Sequence, residues 1–308
     1  MKELKDLYNQ NVNIMKHLRD KNDTSANDLS AILHAYDLQA GTYTDDYYNN
    51  ESSNLYMDGQ KVTMTLKEFY QEKGRRISEI IDQHHYSSIL EVGVGEATSL
   101  CDVILNLKNK QARISGVDIS LSRISVGNQF LEENGIDHVE LIAGDMFQLP
   151  FADNAFDIVF TNHCIEPNTT RAMDAIQELY RITNRYLILI EPTYQLGNEE
   201  TKHRIDEHKY CKEIITTIEA LNLKVLEHRL FEIGSYNNQS SIIIVEKDDP
   251  LNITNEEYHC PVCKNTLLYD HINYFCSPCS TVYPVIKGTP CLTPKFGILF
   301  NRYAEVKR

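Results

Sequence analysis

Several glycines and acidic residues stand where short apolar runs end, a placement that could bind a nucleoside. The segment Glu91-Val-Gly-Val-Gly-Glu-Ala97 directly follows one such run and opens a helical pattern. Gly93 permits a tight turn, and Gly95 removes a side chain where a ligand must approach the backbone. A G-x-G turn is found in dinucleotide sites, in nucleoside sites and in turns without a ligand, so it does not decide between them alone.

Two further acids extend this pattern. Asp118 ends the apolar run after the turn, and an acid at that place can accept hydrogen bonds from both ribose hydroxyls. Asp145, followed by Met146, ends the next run, where an acid can reach the exocyclic amine of adenine. Together with the turn, these residues predict a cofactor that contains a nucleoside with free ribose hydroxyls.

Four of the eight cysteines form two C-x-x-C pairs, Cys260 with Cys263 and Cys276 with Cys279. The charged N-terminus shows no secretory signal, so metal binding is expected rather than a disulfide framework. Four thiolates leave no open position, which predicts a structural Zn²⁺; redox-active dithiols are the alternative. The other cysteines are expected to be buried or semi-buried small hydrophobes: Cys101, Cys164, Cys211 and Cys291.

Three blocks position these residues: 1–83, 84–247 and 248–308. From His84 to Lys247, short apolar runs alternate with amphipathic runs. This alternation predicts an α/β fold with a doubly wound, mostly parallel seven-stranded sheet and helices on both faces. The last two strands are expected to form an antiparallel pair at the sheet edge. A ligand site is expected at the carboxyl ends of the strands.

The flanking blocks have different patterns. The first block predicts a helical cap. Residues 25–40 show a helical pattern that Ser25 or Asn27 would cap, residues 41–60 are polar and turn-rich, and a second amphipathic helix is expected from Leu66. Asp248-Asp249-Pro250 predicts the boundary of the third block, because proline cannot continue a strand.

Charge and hydropathy limit the possible partners. The formal net charge is −14, and the excess of acids lies before residue 248. An acidic body repels phosphate backbones, so a small acceptor is expected and a nucleic acid is not. No apolar run approaches the roughly 18–20 residues needed to span a bilayer. We therefore expect a cytoplasmic protein.

From Tyr36 to Lys247, these motifs in their order resemble class I methyltransferases, especially the ubiquinone/menaquinone-type and small-molecule branch. The resemblance implies a Rossmann-like fold and S-adenosylmethionine (SAM) as cofactor. Ala97 departs from it, because many relatives carry a third glycine there. The segment Tyr36-Asp-x-x-Ala-x-x-Tyr43 resembles an element whose aromatic side chain closes over the cofactor. The resemblance implies that Glu91, Gly93 and Gly95 hold the methionine part, that Asp118 binds ribose, and that Asp145 and Met146 flank adenine. Asn162 and His163 would face the methionine and substrate side. Tyr43 and Ile119 are further expected cofactor contacts.

A dinucleotide dehydrogenase is the competing interpretation of the turn. It needs a second glycine-rich feature for the pyrophosphate. Here the helix after the turn starts with Glu96, an anion that would repel pyrophosphate and tolerate a cationic sulfonium. The sequence therefore favours a methyltransferase.

Candidate bases follow the fourth and fifth strands. His163 could take a proton from the acceptor or only form the pocket wall. Glu166 could do the same or start the next helix, where an acid is favourable. Glu191 ends the fifth strand before a proline. His203 and His208 lie in a charged stretch and are expected to be surface residues.

The run Tyr283-Pro-Val-Ile-Lys-Gly-Thr-Pro290 resembles the ending of a small zinc-ribbon family that binds and activates methyltransferases acting on tRNA, rRNA and release factors. The leading hypothesis is O- or N-methylation of a small molecule, such as a sugar or glycan precursor. The second is an RNA or protein methyltransferase with the ribbon as built-in activator. Against it, Asn162-His-Cys-Ile165 stands where such enzymes have a tetrapeptide of the Asn-Pro-Pro-Tyr type. The third is a non-catalytic SAM-binding scaffold.

Overall fold

The computed structural model describes residues 2–49, 52–248, 250–251 and 257–305. Asp249, part of the expected boundary of the third block, lies outside the described residues, as do residues 252–256 and 306–308 of that block. In the described ranges, no helix is long and apolar enough to cross a bilayer.

The first block consists of helices and a β-hairpin. The helix expected from Leu66 is present and starts with a capping box between Thr65 and Glu68. The bounds are Lys2–Asn9 (α1), Ile14–Lys21 (α2), Leu29–Leu38 (α3), Thr42–Tyr48 (α4), Ser52–Met57 (β1), Gln60–Thr65 (β2) and Leu66–Ile81 (α5).

Two details of this block differ from the sequence-based expectation. Asp28, not Ser25 or Asn27, caps α3 and accepts from the Ala31 N–H at 2.7 Å. The stretch expected to be only turns contains α4 and the hairpin, whose turn residues Asp58 and Gly59 both have positive φ. An Asp-Gly turn favours a hairpin. The two strands are half-exposed and rich in polar residues, so they lack the alternation of apolar and polar residues that would have predicted them.

The central block confirms the mostly parallel seven-stranded sheet, in the order β5-β4-β3-β6-β7-β10-β8. The strands β10 and β8 pair antiparallel at one edge, as expected. The short strand β9 pairs with β1 of the hairpin. The bounds are Ser88–Val92 (β3), Thr98–Asn106 (α6), Arg113–Asp118 (β4), Leu121–Glu133 (α7), Glu140–Ala143 (β5), Phe156–Asn162 (β6), Ala172–Ile182 (α8), Thr183–Pro192 (β7), Glu199–His208 (α9), Ile214–Ala220 (α10), Lys224–Leu230 (β8), Ile233–Ser235 (β9) and Ser240–Glu246 (β10).

The helix α9 was not expected from the sequence. Asn198 caps it, and Thr201 and Ile205 are its buried residues. Two buried positions in ten residues, of which only Ile205 is apolar, are too few to give the sequence pattern of an amphipathic helix. His203 is exposed as expected, whereas His208 is half-buried and lines the cavity described below.

The third block forms a small antiparallel sheet that packs against the main sheet. Tyr283 and Leu292 belong to the same apolar cluster as strand residues of β3, β6 and β7. Cys291 forms a parallel bridge with Ala143 of β5, and the Leu292 N–H donates to the Ala143 carbonyl at 2.8 Å. The described part of this block therefore extends the β5 edge of the sheet. Its strands are Leu268–Tyr269 (β11), Asn273–Cys276 (β12), Thr281–Ile286 (β13), Thr289–Pro290 (β14) and Ile298–Leu299 (β15).

Candidate active site

A cavity of about 760 Å³ lies at the carboxyl ends of the parallel strands. Residues that follow β3, β4, β5 and β6 form one side of it, and residues from α1 to α5 of the first block cover the other. Open α/β sheets bind ligands in this crevice. The volume falls within the range of about 300–1,000 Å³ that is usual for small-molecule sites.

The first part of the glycine turn, from Glu91 to Val94, lines the cavity, whereas Gly95 is outside the lining. Gly93 has φ +81°, and a Cβ there would overlap the side chain of Cys164. Gly93 is therefore required by packing as well as by backbone conformation. Gly95 has φ +57°, so its backbone conformation favours glycine. Ala97, at the position of the third glycine, also has a positive φ of +56°.

Two buried oxygens at the strand ends lack partners among the described residues. They are Oε2 of Glu91 near the end of β3 and Oδ1 of Asn162 at the end of β6. The pKa of Glu91 is raised to about 8, mainly by burial; the charge of Lys73 lowers this pKa, and the charge of Asp118 raises it. Both residues line the cavity. Buried acceptors without a partner are costly, so this arrangement fits a ligand that brings a positively charged donor such as an ammonium group.

The acids expected to bind ribose and adenine also line the cavity. Asp118 is buried, and its two oxygens accept from the Gly95 and Ser120 N–H groups, each at 2.9 Å. A carboxylate has about four acceptor sites, so two remain for ribose hydroxyls. Asp145 accepts from the Phe147 N–H at 3.0 Å, and burial raises its pKa. Ile119 and Met146 lie beside them in the cavity wall.

Two tyrosines of the first block reach the same cavity. The rings of Tyr36 and Tyr43 lie 5.3 and 4.7 Å from the guanidinium carbon of Arg123, a cation–π arrangement. Asp37 accepts from the Ser120 hydroxyl at 2.9 Å, which fixes α3 to the loop after β4. The segment Tyr36–Tyr43 is thus held over the cofactor side of the cavity.

Glu96 faces the first block and not the cavity. Its buried carboxylate accepts from the Gly41 N–H at 3.1 Å and from the Thr44 N–H and hydroxyl at 2.9 and 3.1 Å. Its Oε1 also lies 3.7 Å from Nε of Arg123. The expectation that Glu96 would repel a pyrophosphate is therefore wrong, because its charge is satisfied by α4 and by an arginine.

His163 and Glu166 meet in the cavity wall. Nδ1 of His163 lies 3.2 Å from Oε2 of Glu166, and Nε2 lies 2.8 Å from the Ser240 hydroxyl. Burial lowers the pKa of His163, so the ring is neutral near pH 7. His163 has φ +60°, a strained conformation for a side chain of this size. With both ring nitrogens engaged by protein groups, the geometry favours His163 as a wall residue.

Glu191 is not part of the cavity lining. It is buried at the end of β7, and its carboxylate accepts from the N–H groups of Cys164, Ile165 and Glu166 at 3.0–3.3 Å. The expectation that it acts as a base is not supported, because its oxygens hold the loop after β6 and do not face the acceptor space.

Lys73 is a cavity residue that sequence reasoning missed. It lies on α5 one turn after Phe69 and Tyr70, which also line the cavity, and one turn before the buried Ile77. Burial lowers its pKa to about 8, although the charge of Glu91 raises it. The signal in the sequence was a lysine on the apolar stripe of an amphipathic helix.

The four cysteines of the C-x-x-C pairs converge as predicted. Their sulfurs all lie within 4.8 Å of one another, with 3.9 Å between Cys260 and Cys279 and 3.4 Å between Cys263 and Cys276. These distances suit a tetrahedral ion and are too long for disulfides. The Asn265 amide donates to the Cys263 sulfur at 3.3 Å. The expectation for the other cysteines is confirmed: Cys101, Cys211 and Cys291 are buried and Cys164 is half-buried.

A family model described as a methyltransferase domain matches residues 83–253, more than half of the chain. The chain belongs to this methyltransferase-domain family. The match covers the whole central sheet and the motifs at its strand ends, but not the Tyr36–Tyr43 segment of the first block. Glu96 does not face the cavity and therefore gives no evidence against a dinucleotide dehydrogenase. The family match excludes the dehydrogenase instead.

Curated relatives of the chain are methyltransferases named for different small molecules. The chain is 24% identical to a sterol 4-C-methyltransferase of Caenorhabditis elegans over 58% of its own length, and 34% identical to a demethylmenaquinone methyltransferase of Geobacillus stearothermophilus over 24%. It spans only 54% and 31% of these relatives. The structure of magnesium protoporphyrin IX methyltransferase from Synechocystis, solved with bound S-adenosylhomocysteine (SAH), has the same fold, with a TM-score of 0.54 and 14% identity. The matched region covers 72% of this chain and all of that one.

Proposed function

We propose that the protein transfers a methyl group from SAM to an oxygen or nitrogen atom of a small molecule. The observation that carries this proposal is the pair of unpartnered buried oxygens on Glu91 and Asn162, next to the carboxylate of Asp118. One side of the cavity thus offers acceptors for an ammonium group and for ribose hydroxyls. Membership of the methyltransferase family and the SAH-bound structural neighbour support the same cofactor.

In this proposal, SAM supplies an electrophilic methyl group on a positively charged sulfur. Glu91 and Asn162 hold its ammonium group, with Gly93 giving the close approach of the backbone. Asp118 and Ile119 hold the ribose, and Asp145 and Met146 flank the adenine. Tyr43 covers the methionine side together with Arg123, whose charge suits the cofactor carboxylate.

The shape of the cavity supports a small acceptor. Residues 8–15 of the first block line it together with Leu29 and Ile32 of α3, so this block covers the space next to the cofactor side. Such a cover favours a small acceptor over a polymer. The lining is both polar and apolar, which suits a biosynthetic intermediate such as a sugar or glycan precursor.

Calorimetric titration with SAM and with SAH tests the cofactor part of this proposal. We expect both ligands to bind, and Asp118→Ala to weaken both at least about 10-fold, because it removes charge-assisted hydrogen bonds. Asp153→Ala, an exposed acid on the loop before β6, is the matched control. Absence of binding by the unaltered protein would overturn the proposal.

Turnover is tested with tritiated SAM and a panel of quinols, sterols, phenols and nucleotide sugars. We expect transfer of tritium to one class of acceptor. Tight SAM binding with no transfer to any member of the panel would favour the non-catalytic scaffold. An RNA substrate would be distinguished by a steep loss of binding between 50 and 200 mM salt, which a neutral acceptor does not show.

We also propose that Cys260, Cys263, Cys276 and Cys279 bind one structural Zn²⁺ and that residues 248–308 form a zinc ribbon. Four thiolates complete the coordination of the ion, so its contribution is to folding and not to the transfer step. The expected division into a cap of residues 1–83, a SAM-binding domain of residues 84–247 and this ribbon stays a proposal.

A further inference from the structure

Lys73 is a cation enclosed in the cavity wall without a paired anion. Its side chain is 6% exposed, and its ammonium lies 5.7 Å from the centre of the Phe69 ring. Among the described residues, Lys73 forms no hydrogen bond and no ion pair within 4.0 Å. A buried lysine in this setting is poised to lose its proton, because burial penalises the charged form.

The charges of three carboxylates act on Lys73. The strongest of these effects comes from Glu91 of β3, followed by Glu166 of the loop after β6 and by Glu191 of β7, which lies behind the cavity wall. The charge of Lys73 also helps to lower the pKa of His163, which lies in the same loop as Glu166. Glu91 is the residue proposed to hold the ammonium group of the cofactor. Lys73 therefore lies on the methionine side of the cavity, near the expected position of the transferred methyl group.

We propose that Lys73 is the general base of the methyl transfer, and that binding of the positively charged cofactor first releases its proton to the solvent. This inference rests on the function proposed above. Both the ammonium and the sulfonium of the cofactor would lie near a second enclosed cation, and the neutral amine avoids that repulsion. In the neutral state, Lys73 can accept a proton, whereas both nitrogens of His163 are already engaged.

The transfer step balances with this base. The acceptor hydroxyl or amine gives its proton to the Lys73 amine, and the freed electron pair forms a bond to the methyl carbon. The carbon–sulfur bond breaks, and its electron pair stays on sulfur. The products are the methylated acceptor, neutral SAH and a protonated Lys73, whose charge is tolerated again because the sulfonium charge is gone.

Calorimetry in buffers of different ionisation enthalpy tests this inference without a known acceptor. Titrations with SAM in phosphate, PIPES and imidazole at pH 6.8 give the number of protons released per bound ligand. Because Lys73 has a pKa of about 8, it is almost fully protonated in the free protein at this pH. The ligand's α-amino group, with a pKa of about 7.7–8.0, is also protonated. We expect the unaltered protein to release about one proton more than Lys73→Met.

Two further variants separate the charge from the fold. Lys67→Met, on the exposed side of the same helix, is the matched control and should release as many protons as the unaltered protein. Lys73→Arg carries a charge that cannot be lost, so it should release about one proton fewer than the unaltered protein. It should also bind SAM at least about 10-fold less well, relative to SAH, than Lys73→Met does.

Each outcome decides the matter. Equal proton release by the unaltered protein and by Lys73→Met, with SAM bound in both, overturns the role of Lys73 and leaves the proposed function intact. Equal SAM-to-SAH affinity ratios in Lys73→Met and Lys73→Arg do the same. Failure of the unaltered protein to bind either ligand overturns the proposed function itself, and the inference on Lys73 falls with it.

Discussion

Replacement of Glu96 by glutamine should detach α4 from the central domain without unfolding the protein. The carboxylate has one oxygen that accepts from the Gly41 N–H and lies near Arg123, and another that accepts twice from Thr44. Glutamine keeps one oxygen, which can serve the Thr44 pair. Its NH₂ group then faces Gly41 and Arg123, which are both donors.

The expected cost follows from these two lost contacts. Each buried donor left without an acceptor costs about 1–3 kcal/mol. Because Arg123 lies 3.7 Å from Glu96, beyond hydrogen-bond distance, its lost contact is given the low end of that range. We therefore expect about 3 kcal/mol for the two contacts together, which is about 150-fold in an equilibrium constant. This is less than the 5–15 kcal/mol that stabilises a typical domain, so the fold should persist.

Hydrogen exchange followed by mass spectrometry measures this effect locally. The amide protons of residues 45–49 in α4 should exchange about 100-fold faster in Glu96→Gln, because opening of the helix becomes easier. Affinity for SAH should fall as well, since Tyr43 on the same helix lines the cavity.

Glu133→Gln is the matched control. The Glu133 carboxylate accepts from the Tyr48 hydroxyl at 3.2 Å, so it contacts the same helix, but from an exposed position. Its loss should change stability by no more than about 0.5 kcal/mol. If Glu96→Gln weakened cofactor binding while exchange in residues 45–49 stayed unchanged, Glu96 would act on the cofactor directly and the reasoning from α4 would be refuted.

Other substitutions test the remaining parts of the structure. Gly93→Ala should weaken SAH binding at least about 10-fold by calorimetry, because the new methyl overlaps Cys164, and Cys164→Gly in the same chain should partly restore it. Asp118→Asn should cost about 1.5–3 kcal/mol of SAH affinity, and an unchanged dissociation constant would contradict the ribose role. Cys276→Ser should lower the zinc content from one ion per chain to none by metal analysis, whereas Cys291→Ser should keep it; zinc bound equally by both would contradict the four-thiolate site.

The central sheet could be predicted from sequence because its strands are buried on both faces. All five residues of β3 are buried, and Ile89, Leu90 and Val92 give it a short, mostly apolar run before Gly93. The same holds for β6, which ends at Asn162. Positions at the carboxyl ends of such strands must converge, which is why the expected cofactor residues meet at one cavity.

Residues that depend on tertiary contacts could not be assigned in this way. Glu96 follows the glycine turn in sequence, but its side chain turns away to meet Thr44, more than 50 positions earlier. Glu191 lies near the end of a strand, as a catalytic residue would, but three backbone N–H groups of the loop after β6 donate hydrogen bonds to its oxygens. Lys73 belongs to a helix of the first block. The rule that ligands bind at the carboxyl ends of parallel strands says nothing about which residues of such a helix reach the site.

The bridge between Cys291 and Ala143 has a consequence for the behaviour of the protein in a crowded solution. Without it, β5 would present a row of unpaired N–H and C=O groups at the open edge of the main sheet, a template for pairing with another chain. The segment that covers this edge would be stabilised by the Zn²⁺ that we propose the four thiolates bind. Zinc scarcity would therefore show itself first as self-association of otherwise folded molecules through β5, before any loss of the cofactor pocket.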